Sequence, residues 1–194
     1  ARILTNDPSA GNATIRQKFN AKRIRSAINS GLGQYGLGNI DLYNRPQVRN
    51  PDGSISNGCF SQWWPCKFEV DGIVYNCAEQ YMMAEKARLF PGNEKLLIEI
   101  MNETDPKNHK KYGRMVKNYD DKIWGSKRKA AVLKGNIAKF SQNEDLKKYL
   151  LSTGNKILVE ASPYDDIWGI KMKKEDSGVT NPNNWKGTNL LGFV

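Results

Sequence analysis

The stretch FEVDGIVYNCAEQYMMAEKARLF, residues 68–90, decides the fold class. Its first half alternates apolar and polar residues on both sides of Asp71-Gly72, a pair suited to the two positive-φ positions of a tight hairpin turn. The period then changes from 2 to 3.6. Asn76 is a good N-cap, Glu79 stands three residues on, and Tyr81, Met82, Leu89 and Phe90 recur at helical spacing. A hairpin feeding directly into a helix is the seed of an α+β fold.

Downstream, caps and periodicity predict helices from Asn93 to Glu103, from Asp105 and Pro106 to about Lys117, from Asp120 to Phe140, and from Asn143 to Ser152, closed by Gly154. KILVEAS, residues 156–162, reads as a short buried strand. The expected class is therefore α+β: a helix-dominated single domain with a few short strands, plus a short N-terminal extension. After that strand come loops rich in Trp, Asp and Asn, SPYDDIWGIKM through NPNNWKGTN, before the apolar NLLGFV. Polar loops beside a buried strand are where a site is expected.

Upstream, YNRPQVRNPDGSISNG (residues 43–58) holds two prolines and several turn formers, which places a boundary near Asn57. Residues 1–57 read as a basic, turn-rich extension or linker, and 58–194 as the domain that holds every residue of chemical character. Within the extension, residues 12–30 fit a short basic helix with Ile15, Phe19, Ile24 and Ile28 as its ragged apolar stripe. Gly31, Gly33 and Gly36 match the glycine spacing of a dinucleotide-binding loop. Such a loop follows a strand and opens a helix, whereas this one follows a helical pattern, so it reads as a connector. The opening on Ala1 and the stop at Val194 suggest a piece of a longer polypeptide.

The composition, 39% hydrophobic and 26% charged over 194 residues, is globular. No run of about 18 uncharged apolar residues occurs, and residues 1–30 lack a leader-like apolar segment. The expectation is a soluble, unexported, cytoplasmic protein (host cytoplasm if the source is viral) with no membrane partner. Cys59, Cys66 and Cys77 are odd in number and match no paired metal motif, and His109 is the one histidine. We therefore expect no metal, no cofactor and no disulfide framework. The 30 Lys and Arg against 20 Asp and Glu favour a polyanionic partner, nucleic acid or a phosphorylated small molecule, with a merely solvated basic surface as the bland reading.

Glu79 and Lys86 lie seven residues apart, on nearly one helix face with a rise of roughly 10 Å between them. A carboxylate and an amine are thus set to border one pocket. Spacing alone nevertheless favours a capping role for Glu79 and a solvated one for Lys86. Of Trp63, Trp64, Trp124, Trp168 and Trp185, Trp124 reads as core. Trp168, before a glycine in a polar loop, reads equally as a stacking surface. Asp165 and Asp166 follow a proline turn and read either as Asx-type loop stabilisers or, with Glu79, as a carboxylate set. Glycosidic cleavage needs a carboxylate near the anomeric carbon and an acid for the leaving nitrogen.

Six blocks, FSQWWPCKFEVDG, NCAEQYMMAEKARLF, KKYGRMVKNYDDKIWGSKR, KFSQN, LVEASPYDDIWGIKM and WKGTNLLG, taken in order, resemble the NADAR (YbiA-like) family over about residues 59–194. That resemblance implies an N-glycosidase, a hydrolase. Some members are similar to hydrolases of phosphorylated riboflavin-biosynthesis intermediates, others to enzymes removing ADP-ribose from guanine bases in nucleic acid. It overturns the spacing argument by making Glu79 catalytic. Lys86 becomes a Schiff-base nucleophile or a phosphate anchor, with Trp124 and Asp165 completing the catalytic group. Phe60, Ser61, Gly113, Arg114, Trp168, Gly169 and Asn189 match further positions that bind substrate. Two departures stand out: Gln80 where many members have His, and Lys171 where a small residue is common. The implied partner is ADP-ribosylated nucleic acid, or failing that a phosphorylated nucleoside-like small molecule. A non-catalytic ADP-ribose or nucleic-acid binding module is the rival of another class.

Overall fold

The structure is a computed structural model and describes residues 49–154 and 156–194; the expected basic helix at 12–30 and the glycine connector lie outside them. The described residues fall into two compact units, 49–150 and 151–194.

The first unit opens with a 3-10 turn, Asn57–Phe60, then the strands β1 (Phe68–Val70) and β2 (Ile73–Tyr75). They pair antiparallel with Phe68 opposite Tyr75 and Val70 opposite Ile73. Asp71 (φ 53°) and Gly72 (φ 78°) make the turn, as the sequence requires. Phe68, Val70 and Tyr75 face inward while Glu69, Ile73 and Val74 are exposed. The outer edge of β1 is closed by a side chain: Glu69 N–H donates to Gln142 Oε1 (2.7 Å) and Gln142 Nε2 donates to Glu69 O (2.8 Å).

Helices α1 (Ala78–Leu89), α2 (Glu94–Asn102), α3 (Pro106–Arg114), α4 (Asp121–Gln142) and α5 (Glu144–Ser152) follow. The fold is α+β and helix-dominated, as expected. Helix α1 is central, packing on α2, α3 and α4, while α4 also covers β1. Every residue of α1 from Ala78 to Ala84 is buried, so its first two turns have no solvent face. Two glycines make this approach possible. A Cβ at Gly113 on α3 would lie 1.9 Å from Met83 Sδ, and one at Gly135 on α4 would lie 2.4 Å from the Tyr81 ring.

Three local expectations need correction. The N-cap of α1 is Cys77, whose Sγ accepts from Gln80 N–H (3.4 Å), and the side chain reaching back to Asn76 N–H is Gln80, through Oε1 (2.8 Å). The helix starts one residue later than the Asn76 cap implied, so the capping position falls on Gln80 rather than Glu79. Helix α3 ends at Arg114, short of Lys117, because Lys117 N–H is drawn to Asn93 Oδ1 (2.8 Å) and Asn118 turns left-handed (φ 55°). KILVEAS forms no strand: its residues 158–162 are buried, but Ile170 N–H bonds to Glu160 O (2.9 Å) and Asn189 bonds Leu158 and Glu160. A loop and a side chain take the hydrogen bonds that a neighbouring strand would have supplied.

The second unit is a set of turns around Val159, Ala161, Ile170 and Met172, with Ile157, Val179 and Trp185 packed against them. Replacing Gly135 by Ala is expected to destabilise the protein by roughly 1–3 kcal/mol in urea unfolding, because overpacking against a buried ring outweighs the better helix propensity of Ala. An unchanged midpoint would mean that Tyr81 moves aside freely.

Candidate active site

Within residues 49–150 the structure brings Glu79 and Lys86 together with groups the sequence did not single out. Glu79 is buried, 4% exposed, in the first turn of α1. Its N–H donates to Gln62 O (2.8 Å). The segment bearing Gln62 is held from α4: Gln62 Nε2 donates to Asn136 Oδ1 (2.9 Å), and Lys139 Nζ donates to Cys59 O (2.6 Å) and Ser61 O (2.8 Å). Lys139 is fully buried, which lowers the pKa of its amine. It satisfies the carbonyls of that turn and lies 5.0 Å from the centre of the Phe140 ring.

Two turns along α1, Lys86 Nζ donates to Gly113 O (2.7 Å) and sits 4.2 Å above the centre of the Tyr119 ring. Burial lowers the pKa of this amine, and the negative charges of Asp121 and Glu79 oppose the shift. Glu79 is thus one of the negative charges acting on the amine, after Asp121. Neither Tyr119 nor Asp121 was legible as a partner of Lys86, since Tyr119 lies in the connection into α4 and Asp121 opens that helix, both more than 30 residues away in sequence.

The other expected residues of this unit separate into buried and exposed. Phe60 is buried between Phe140 (ring centroids 6.2 Å apart) and Tyr149 (5.6 Å). Ser61 is buried and accepts from Trp63 N–H through Oγ (3.1 Å). Gly113 is the point of contact with Met83, its carbonyl turned to Lys86. Trp124 is buried, 6% exposed. Arg114, next to the carbonyl that holds Lys86, is exposed. Gln80 Nε2 donates to the carbonyls of Ile100 (3.0 Å) and Met101 (3.1 Å), closing the end of α2. The glutamine that replaces a possible titrating histidine is a structural group here. His109 is likewise buried, its Nε2 3.0 Å from Glu103 O, and burial lowers its pKa.

Residues 151–194 carry the second group. Asp165 Oδ1 accepts from Ile167 N–H (3.0 Å) and Trp168 N–H (2.7 Å), the Asx-type loop-stabilising turn that was one of its two expected roles. Trp168 is half-buried. A Cβ at Gly169 would lie 2.9 Å from Glu160 O and 3.1 Å from Asp165 O, so only glycine lets the chain pass. Asn189, fully buried with φ 52°, accepts from Glu160 N–H (2.9 Å) and donates to Leu158 O (2.9 Å). Lys171 is also left-handed (φ 52°) and exposed, 3.4 Å from Asp166 Oδ2. The sequence missed Glu160, buried at 4% exposure in the same cluster; a carboxylate inside the apolar run LVEAS was its signal.

Among the described residues no group of three or more His, Cys, Asp or Glu side chains is placed to hold a metal ion, and no helix is long and apolar enough to cross a membrane. Replacing Asp121 by Asn removes a charge that raises the Lys86 pKa. The Lys86 amine of that variant is expected to lose its proton at lower pH than in the parent, read by nitrogen-15 NMR of lysine side chains. Coincident titrations would show that solvent screens Asp121 from the amine.

Comparison with known proteins converges on one group. The NADAR domain pattern matches residues 50–194. The chain is similar to the N-glycosidase R617 of Acanthamoeba polyphaga mimivirus, 46% identical over 140 residues, covering 70% of this chain and 82% of that protein. It is 36% identical over 151 residues to Protein irg-1 of Caenorhabditis elegans, covering 70% and 71%. It is 32% identical over 139 residues to the N-glycosidase YbiA of Escherichia coli, covering 71% and 76%. The solution structure of E. coli YbiA superposes with a TM-score of 0.58 at 27% identity, covering 79% of this chain and 83% of that one. By residues matched, by identity and by fold, the chain belongs to the NADAR domain family.

Proposed function

We propose that this protein cleaves the bond between ribose and a guanine nitrogen, releasing ADP-ribose from modified nucleic acid. In the general sense the chain is an N-glycosidase, and so a hydrolase, by its family and by the relatives that carry that name. The observation supporting a catalytic role is the pair on α1: a buried carboxylate, Glu79, within electrostatic reach of Lys86, an amine drawn toward its neutral form by burial.

In the hydrolysis the bond from the anomeric carbon to nitrogen breaks, a water oxygen bonds to that carbon, and a proton ends on the departing nitrogen. Positive charge grows on the sugar as the bond stretches, and a carboxylate in a dry site stabilises it or takes the proton of the attacking water. Glu79 is given that task. Lys86 has two readings: nucleophile, its Nζ bonding to the anomeric carbon of the opened ribose as the bond to the guanine nitrogen breaks and that nitrogen takes a proton, the water then hydrolysing the resulting imine to free both the lysine and ADP-ribose; or anchor for a phosphate. The lowered pKa favours the first, because only the neutral amine has a lone pair to bond with carbon. Arg114, exposed and next in the chain to the Gly113 that holds Lys86, then takes the phosphate oxygens.

To Asp165 we assign the stabilisation of the cationic sugar, and to Trp168, the more accessible of the two expected tryptophans, the stacking of the base. Phe60, Ser61, Gly113, Gly169 and Asn189 serve this reading by fixing the backbone that carries the others. The surplus of ten positive charges supports a nucleic-acid substrate over a phosphorylated riboflavin precursor.

The test is release of free ADP-ribose from a guanine-ADP-ribosylated oligonucleotide. The parent is expected to release it and Glu79→Gln to be slower by about 10² or more, the scale for loss of an acid-base group, with an unchanged melting temperature. Turnover of a phosphorylated riboflavin precursor without any release of ADP-ribose would move the assignment to that smaller substrate.

A further inference from the structure

The positive charge of the 58–194 segment is not spread over its surface. Residues 58–194 carry 22 Lys and Arg and 17 Asp and Glu, a net of +5, whereas residues 106–134 alone carry 10 and 2, a net of +8. The remainder, 12 against 15, is −3. A surface kept soluble by charge intersperses the two signs, as Glu144 with Lys147 and Lys148 on α5 illustrates. The stretch forming α3 and the start of α4 does the opposite.

The helical geometry turns these cations outward. On α3 the buried residues are His109 and Gly113, facing α1, while Lys107, Lys111 and Arg114, spaced by four and three residues, share the exposed face. Lys117, Lys122 and Lys127 continue the exposed series into α4. Among the described residues, the ion pairs use Arg49, Arg88, Lys134, Lys147, Lys148 and Lys171, and none of these six cations.

A second, independent feature coincides with the first. Met115, Tyr119 and Ile123 are large apolar side chains exposed by 51%, 42% and 46%, and they lie in the middle of the basic series. Cations alone suit any polyanion. Cations interleaved with exposed apolar and aromatic side chains suit a polyanion whose bases are themselves unstacked and available. The Tyr119 ring also lies under Lys86 Nζ, and Arg114 follows the Gly113 carbonyl that holds it, so the series runs up to the catalytic pair.

We infer that the outer face of α3 and the first turns of α4 form a binding surface for single-stranded nucleic acid, with Lys107, Lys111, Lys117, Lys122 and Lys127 on the phosphates and Met115 and Ile123 against the bases. This names the form in which the proposed substrate arrives and rests on that reading for the chemistry at Glu79, but binding here needs no ADP-ribose. The strand crosses the surface by its backbone, and its modified base is delivered past Tyr119.

The experiment is fluorescence anisotropy of the full chain with an unmodified single-stranded oligonucleotide across a range of salt, beside the variant K107Q/K111Q/K122Q/K127Q. For a single strand the logarithm of affinity falls with that of salt by about 0.7 per phosphate neutralised, so the variant is expected to flatten the slope by about 3 and to bind more than about tenfold more weakly at low salt. Its melting curve is expected to match the parent's, since the four side chains are exposed. Its rate on a free ADP-ribosylated guanosine is expected to be unchanged.

A parent that fails to bind, a variant that binds equally well, or a duplex bound as tightly as the single strand would overturn the surface, whether or not ADP-ribose is released. Binding to phosphatidylserine vesicles in place of the oligonucleotide would overturn it in favour of a membrane. Strand binding lost in the variant, with no ADP-ribose released from any guanine substrate, would instead leave the surface standing and remove the proposed substrate.

Discussion

Helix α1 is surrounded on every side over its first two turns, and the arrangement of residues 49–150 follows from the need to cover it without leaving its polar groups unsatisfied. A helix buried this way allows close approach only where a neighbour lacks a side chain. Gly113 and Gly135 supply that on α3 and α4. The first turn also carries Glu79 and Gln80 into the interior, where an unpaired polar group costs roughly 1–3 kcal/mol. Gln80 answers by bonding both the entering chain at Asn76 and the open carbonyls at the end of α2. One amide thus sets where α1 begins and where α2 stops.

That division of labour matters for chemistry. Because Gln80 occupies the capping position, the neighbouring carboxylate is placed by the helix but not assigned to it by register. The backbone of Glu79 is fixed from outside, through Gln62, whose segment is clamped by Asn136 and the buried Lys139 of α4. Lys86 is fixed in the same indirect way, by a carbonyl from α3 and a ring from the loop that follows it. Both groups sit on a rigid helix whose position is over-determined by three others. In the proposed roles, a general base and an amine that must meet a substrate within tenths of an ångström benefit from such a support.

Residues 151–194 solve a different problem with little regular structure. Their backbone polar groups are satisfied by short side chains, Asp165 closing one turn and Asn189 tying residues 158 and 160 to its own loop. Left-handed conformations at Lys171 and Asn189 and the close passage at Gly169 are the local strain of that arrangement. Loops stiffened by side-chain-to-backbone bonds hold groups such as Trp168 in place without a sheet beneath them.

By itself the sequence determined whatever depends on neighbours in the chain. The hairpin was legible because Asp71-Gly72 accepts positive φ. The helices were legible because Asp105 and Asp120 cap them and Pro106 begins one. The shared face of Glu79 and Lys86 follows from seven residues of helix. The residues proposed as the catalytic group were singled out only through six blocks that resemble a family, because a carboxylate and a lysine at helical spacing are common on any surface. Tertiary structure decided the rest. Whether Glu79 or Gln80 serves the cap depends on which is offered the carbonyls of α2, 20 or more residues away. Whether KILVEAS becomes a strand depends on a partner edge, and here Asn189 and Ile170 take its hydrogen bonds first. The protonation of Lys86 depends on burial and on Asp121, and desolvation and charge act through space rather than along the chain.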